Sequence, residues 1–243
     1  MTNLTLLLQS KQLPHPANPQ AASIGMERWI EAADRADDAD LAGFARHIAE
    51  APEARSLLEA LFGNSPFLTD CLLKDIGFAR LLFLEGVDQG FANALAQCDL
   101  AGESDEMKAL MKGLRRAKRQ AALSIALADI TGQWSLEQVT QALSALAERS
   151  LQVAAGFLLR MLAKQGKLPL ANPDNPTEGS GLVILGMGKL GARELNYSSD
   201  IDLIVFYDDE LPLYADMESL RQPMVRLTQD LVKIIAERTA DGY

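Results

Sequence analysis

A chain of 243 residues, 48% hydrophobic and 23% charged, holds enough apolar material for one large or two modest cores, which excludes general disorder. Its 17 glycines and 10 prolines exclude a collagen-like or low-complexity chain and leave helix as the expected dominant element. A net charge of -10 repels a phosphate backbone at long range and argues against DNA or RNA binding, although a small nucleotide carrying its own metal ion is still permitted.

The first expected element is a flexible N-terminal arm over 1–27, with an apolar patch at its start and Pro14, Pro16 and Pro19 after it. No basic segment precedes that patch, and no run approaches about 18 apolar residues, so neither export nor a membrane span is expected. An α-helical domain is expected over 28–168. Its joints are written locally: Gly63 ends one helix, while Ser65 and Pro66 cap and begin the next. Ser104, with Asp105 and Glu106, is expected to cap another helix. Gly132 stops that helix, and Ser135 with Gln138 has the spacing of a capping box. Leu110, Leu114, Ala117, Ala121, Ile125 and Ala128 make one apolar stripe; Val139, Leu143, Leu146, Ser150, Val153, Phe157 and Met161 make a second. Two such stripes predict an antiparallel helix pair. The two cysteines, Cys71 and Cys98, fall in apolar helical settings, which fits neither a disulfide scaffold nor a zinc site and points to the cytoplasm.

Residues 169–181 (PLANPDNPTEGSG) break the pattern with three prolines and two glycines and are expected to be a linker. The grammar then changes to α/β over 182–243. Residues 182–185 form a short apolar run ended by glycine and predict a buried strand; 200–207 predict a second. Between them lie a glycine-rich turn and at most two helical turns over 192–197. Leu220, Met224, Leu227, Leu231 and Ile234 mark a last amphipathic helix beginning near Pro223.

The chemistry is concentrated in 186–202, GMGKLGARELNYSSDID. Carboxylates two residues apart on a strand point to one face, so Asp200 and Asp202 can converge on one hard cation while Ile201 turns inward. A bare pair of this kind is equally a polar strand entry. What adds weight is the company it keeps: Gly186, Gly188 and Gly191 let backbone N–H groups approach phosphates, Ser198 and Ser199 supply hydroxyls, and Lys189 supplies a mobile positive charge. Magnesium accepts two carboxylates together with water and phosphate oxygens. The expected chemistry is nucleotidyl transfer on Mg²⁺, with Mn²⁺ able to replace it.

Gly186, Gly188 and Gly191 also spell the dinucleotide fingerprint, with Asp208 about 20 residues further on. That reading requires a parallel strand–helix–strand unit with a helix of about three turns, and it leaves Asp200 and Asp202 unexplained. It stays open as an oxidoreductase alternative, beside a catalytically silent module whose helices bind partners.

The run GMGKLGARELNYSSDIDLIVFYDD, between a helical leader and a helix ending in TADGY, resembles the N-terminal half of the bifunctional glutamine synthetase adenylyltransferase/adenylyl-removing enzyme family, within the DNA polymerase β-like nucleotidyltransferase superfamily. The resemblance implies a fold that is mainly α with a small α/β part: a helical bundle followed by a truncated nucleotidyltransferase mixed sheet. It implies removal of AMP from a tyrosine of glutamine synthetase by phosphorolysis, giving ADP, with adenylylation from ATP assigned to a second unit. It also implies the signalling protein PII as a partner. On this resemblance Asp200 and Asp202 hold the metal, and Gly186, Gly188, Lys189, Ser198 and Ser199 contact phosphate. The superfamily's third carboxylate follows the last helix, so the chain reads as a fragment with weak catalysis alone. Asp216, Asp230 and Glu237 read as surface acids. The basic cluster Lys112, Arg115, Arg116, Lys118 and Arg119 reads as a solvated helix face before it reads as a partner surface.

Overall fold

The structure is a computed structural model that describes residues 13–237, so the expectations for 1–12 and for the TADGY end lie outside the described residues. The described residues form two compact units: 13–94 with 119–139, and 95–118 with 140–237. The division therefore falls within helices and not at 169–181. α6 (Val87–Gly102), α7 (Met107–Ile130) and α8 (Leu136–Lys164) each contribute to both units.

The first unit is built from α1 (Pro19–Arg35), α2 (Ala39–Glu50), α3 (Pro52–Asn64), α4 (Pro66–Lys74) and α5 (Ile76–Glu85), with parts of α6 and α7. The flexible arm expected over 1–27 is corrected from Pro19 onward. Asn18 accepts the N–H of Ala21 as N-cap, Pro19 occupies the first turn, and Ala22 and Gly25 are buried. α1 packs on α2, α3 and α4. The core gathers Trp29, Ile48, Leu57, Leu58, Leu61, Leu72, Leu82 and Phe83 with Leu123 and Leu127 of α7. Trp29 is fully buried, and its indole N–H donates to the Ala45 carbonyl at 3.0 Å, which satisfies the one polar atom that its burial would otherwise orphan. The Ser65–Pro66 joint and the Ser135–Gln138 box form as the sequence implies: Ser65 accepts from Leu68 N–H, and Ser135 and Gln138 exchange bonds of 2.8 and 3.3 Å.

In the second unit, β1 (Leu182–Gly186) and β2 (Leu203–Tyr207) make a two-stranded antiparallel sheet, followed by α10 (Arg221–Ala236). Among the described residues the sheet is antiparallel throughout. The fold is mainly α with a small α/β part. Leu220, Met224, Leu227, Leu231 and Ile234 are all buried, as their spacing requires. The helix expected over 192–197 does not form; a single turn, α9 (Gly188–Gly191), stands in its place. Ser104 caps less than expected, because its hydroxyl accepts from Glu106 N–H while α7 begins at Met107.

Arg115 departs from the solvated face expected of the basic cluster. It is 4% exposed, and its guanidinium donates to the carbonyls of Ile234, Ile235 and Glu237 at 2.8, 3.3 and 2.7 Å. Those carbonyls end α10, where no intrahelical donor remains and the helix dipole is negative. Arg115→Met is expected to destabilise the chain by about 2–4 kcal/mol, because the carbonyls lose a charged donor inside the protein. The check is the thermal midpoint against that of Lys112→Met, an exposed neighbour expected to change little.

Both cysteines are buried, and burial pushes each thiol from its ordinary value of 9.0 up to about 11. Neither is expected to react with iodoacetamide at pH 8 while the chain is folded, whereas both react in denaturant. The folded thiols ionise later than the unfolded ones. Their contribution to stability is therefore intact below about pH 9 and is lost as the pH rises toward about 11.

Candidate active site

Two buried leucines hold the segment that carries the chemistry. Leu190 and Leu195 are each 4% exposed, and the Leu195 N–H donates to the hydroxyl of Ser144, itself buried on α8. Between and beside these anchors Lys189, Ala192, Arg193, Glu194, Asn196, Tyr197 and Ser198 are exposed. Leu190 and Leu195 thus pin a polar loop to its unit.

The register of β1 on β2 decides what this loop meets. Gly186 lies opposite Leu203, and one step further the Met187 N–H donates to the Asp202 carbonyl at 2.9 Å. The glycine turn at the end of β1 is therefore adjacent to Asp202, although 14 residues of sequence (188–201) intervene. Exposure alternates without a break from Ser199 to Asp208, so Asp200, Asp202, Ile204, Phe206 and Asp208 share one face. Residues 200–202 precede the strand proper, which begins at Leu203 and not at 200. The pairing is antiparallel. A dinucleotide fold needs a parallel crossover at this point, and the one-turn α9 cannot supply one, so the oxidoreductase alternative is withdrawn.

The three glycines have different reasons. A β-carbon on Gly191 would lie 2.4 Å from the Gly186 carbonyl oxygen, and one on Gly186 would lie 2.7 Å from the Leu190 side chain. These two let α9 fold back tightly on the strand end. Gly188 has φ +54° with nothing within 4 Å of its missing β-carbon. It alone of the three faces open space, with its N–H and that of Lys189 at the start of a helical turn that offers them no intrahelical acceptor.

The serines also divide. The Ser199 hydroxyl donates to Asn196 Oδ1 at 2.7 Å and accepts the Asn196 N–H at 3.2 Å, closing the loop before the aspartates. Ser198 is exposed, and its N–H donates to Asn196 Oδ1. Glu194 meets Lys189 through its backbone, N–H to carbonyl, at 2.7 Å.

Asp200 and Asp202 are exposed oxygen donors on one face, which fits a hard divalent cation that keeps water and takes phosphate oxygens. Among the described residues no group of three His, Cys, Asp or Glu side chains gathers at one point. Asp200 and Asp202 are therefore a candidate pair only, and among the described residues Asp216, Asp230 and Glu237 do not complete a triad with them.

A groove of about 490 Å³ lies against the opposite face of the sheet, lined by Leu182, Ile184, Gly186, Leu190 and Gly191 with Glu148, Leu151, Gln152, Ala155, Thr177 and Arg193. It contains neither aspartate. The apolar character of the aspartate face has no signature in the sequence. Val183 and Leu185, expected to be buried, are 47% and 45% exposed, because in a two-stranded sheet only one face is covered by the rest of the unit. A short continuous apolar run does not distinguish a strand covered on one face from one covered on both.

Comparison with known proteins adds the following. The family model described as glutamate-ammonia ligase adenylyltransferase matches residues 55–243. A bifunctional glutamine synthetase adenylyltransferase/adenylyl-removing enzyme of Rhodopseudomonas palustris (strain BisB5) is 49% identical over 212 residues, covering 84% of this chain and 21% of the relative. Enzymes of the same description from Bradyrhizobium diazoefficiens and Xanthobacter autotrophicus are 40% and 36% identical over 98% of this chain and 24% of their own lengths. The chain spans about a fifth to a quarter of the curated relatives it matches. Among the described residues no helix is long and apolar enough to cross a membrane.

Proposed function

This chain belongs to the glutamate-ammonia ligase adenylyltransferase family, and from that premise we propose that it carries the unit that removes AMP from adenylylated glutamine synthetase. One observation carries the reading: the Met187–Asp202 backbone bond that sets the glycine turn beside the two aspartates. In the reaction an oxygen of inorganic phosphate forms a bond to the phosphorus of the AMP group. The bond from that phosphorus to the tyrosine oxygen breaks, the tyrosine takes a proton, and ADP leaves.

The residues divide the work. Asp200 and Asp202 would hold Mg²⁺, or Mn²⁺ in its place. A divalent ion bound there neutralises phosphate charge and stabilises the attacking and leaving oxygens. Lys189 opposes the remaining phosphate charge, while the Gly188 and Lys189 N–H groups and the Ser198 hydroxyl donate to phosphate oxygens. Ser199 contributes differently from the first expectation, by fixing the Asn196 loop. Gly186 acts through the packing of α9 against the strand end.

Among the described residues no third carboxylate joins Asp200 and Asp202. A groove of about 560 Å³ lies beside β2, lined by Leu203, Val205 and Tyr207 of the strand and by Met224, Val225, Thr228, Gln229 and Val232 of α10. Glutamine synthetase, PII, ATP, ADP and phosphate are the proposed partners, and the cytoplasm is the proposed compartment.

The test is ADP release from adenylylated glutamine synthetase with phosphate and Mg²⁺. A whole enzyme of the family bearing this segment is expected to release ADP, and the same enzyme with Asp200→Asn and Asp202→Asn about 10³-fold or more slowly, for want of the metal ligands. Equal rates would contradict the shared site. The silent-module alternative requires that neither release ADP.

A further inference from the structure

Resting on that reading, we infer that the outward face of the β1–β2 sheet docks the extended polypeptide of the protein substrate that flanks its modified side chain. Val183 lies opposite Phe206 and Leu185 opposite Ile204, and all four point outward, with Met187 beside Asp202 at the end of the same face. Phe206 is 52% exposed and Ile204 40%. Single exposed apolar residues are ordinary on a protein surface, but five side by side on one sheet face are a patch.

The patch continues directly into the aspartate pair. Asp202, Ile204 and Phe206 follow one another along one side of one strand, so Ile204 lies about 7 Å and Phe206 about 13–14 Å from Asp202. A modified side chain whose phosphodiester reaches the aspartates brings its own main chain within that range. Two to four residues of extended polypeptide then span the patch, and Phe206 is the aromatic anchor at its far end.

Charge selects the occupant. With Asp200 and Asp202 engaged by the cation at one end, Asp208, Asp209 and Glu210 supply the free negative charge at the other, all three exposed. A second copy of this chain would bring acids against acids, each copy carrying a net charge of -10. The complement is an apolar segment with basic residues at the flank that meets Asp208, Asp209 and Glu210. Its contact with the patch is by side chains, leaving the strand edges unused.

The test measures binding of adenylylated glutamine synthetase to this chain and to the double variant Ile204→Thr with Phe206→Thr, which keeps strand propensity while removing the apolar surface. Val232→Thr, an equally exposed apolar position on α10, is the control. The double variant is expected to bind at least tenfold more weakly at an unchanged thermal midpoint, the control to bind as the parent does, and added salt to weaken the parent. Equal binding by parent and double variant, or none by the parent, overturns the inference. So does concentration-dependent self-association of the parent that the double variant abolishes, because a second copy then occupies the face. Mn²⁺ affinity, measured on the same samples, reports separately on the catalytic reading: if Mn²⁺ ignores Asp200 and Asp202, that reading fails whatever the docking result.

Discussion

Asp200→Asn and Asp202→Asn, each placed in a whole enzyme of the family, are expected to lower ADP release from adenylylated glutamine synthetase by about 10³-fold or more, the scale of losing a metal that stabilises both reacting oxygens. Asparagine keeps the size and one oxygen of each side chain but removes the charge that binds the cation. Both positions are exposed and none of their side-chain atoms fills the core, so the thermal midpoint should hold. Adenylylation from ATP, assigned to a separate unit, should be spared. Loss of both activities, or of neither, would contradict the assignment of these aspartates to the removing reaction.

Gly191→Ala is the second large effect, and it acts on the fold first. The added carbon would stand 2.4 Å from the Gly186 carbonyl oxygen, a backbone atom that no side-chain rotation can clear. α9 must then move away from the end of β1, and with it the turn that meets Asp202. A cost of about 1–3 kcal/mol is expected, as for overpacking elsewhere, which lowers the midpoint of a chain this size by roughly 2–4 °C for each kcal/mol. Activity in the whole enzyme should fall with it. Gly188→Ala separates geometry from space: its β-carbon meets nothing within 4 Å, but φ +54° is strained for alanine, so about 1 kcal/mol is expected. A Gly191→Ala chain as stable as its parent would mean that α9 does not fold back on β1.

What the sequence made legible follows physical range. Caps and stripes are local: Ser65 and Pro66, the Ser135–Gln138 box, and the stripe of Leu220 with the four apolar positions of α10 depend on residues within a turn or two, and each forms as written. The same grammar is present at Asn18–Pro19, where an N-cap followed by a first-turn proline marks α1, while Pro14 and Pro16 close by fit a loose arm equally well. Arg115 was not legible. Its role as donor to the end of α10 joins positions more than a hundred residues apart, and nothing near residue 115 distinguishes it from Lys112 or Arg116.

The candidate site was legible in part for the same reason. Period-two spacing put Asp200 and Asp202 on one face, and their exposure agrees. The adjacency of the glycine turn could not be read, because it depends on strand direction and register, which pairing alone reveals. Nor could the glycines be sorted: Gly191 and Gly186 pack against their own chain, and Gly188 faces outward. The type and position of Ser199 fit a phosphate donor, but its hydroxyl closes the loop on Asn196 instead, a contact that spacing does not reveal.

The central claim is that Asp200 and Asp202 form one divalent-cation site beside a turn that receives nucleotide phosphates. Titrating Mn²⁺ into this chain, with and without ADP, and repeating both titrations on Asp200→Asn with Asp202→Asn, tests it most directly. Binding that ADP tightens and that the double variant loses is the result expected. Mn²⁺ binding that survives the double substitution, or that is indifferent to ADP, would contradict it.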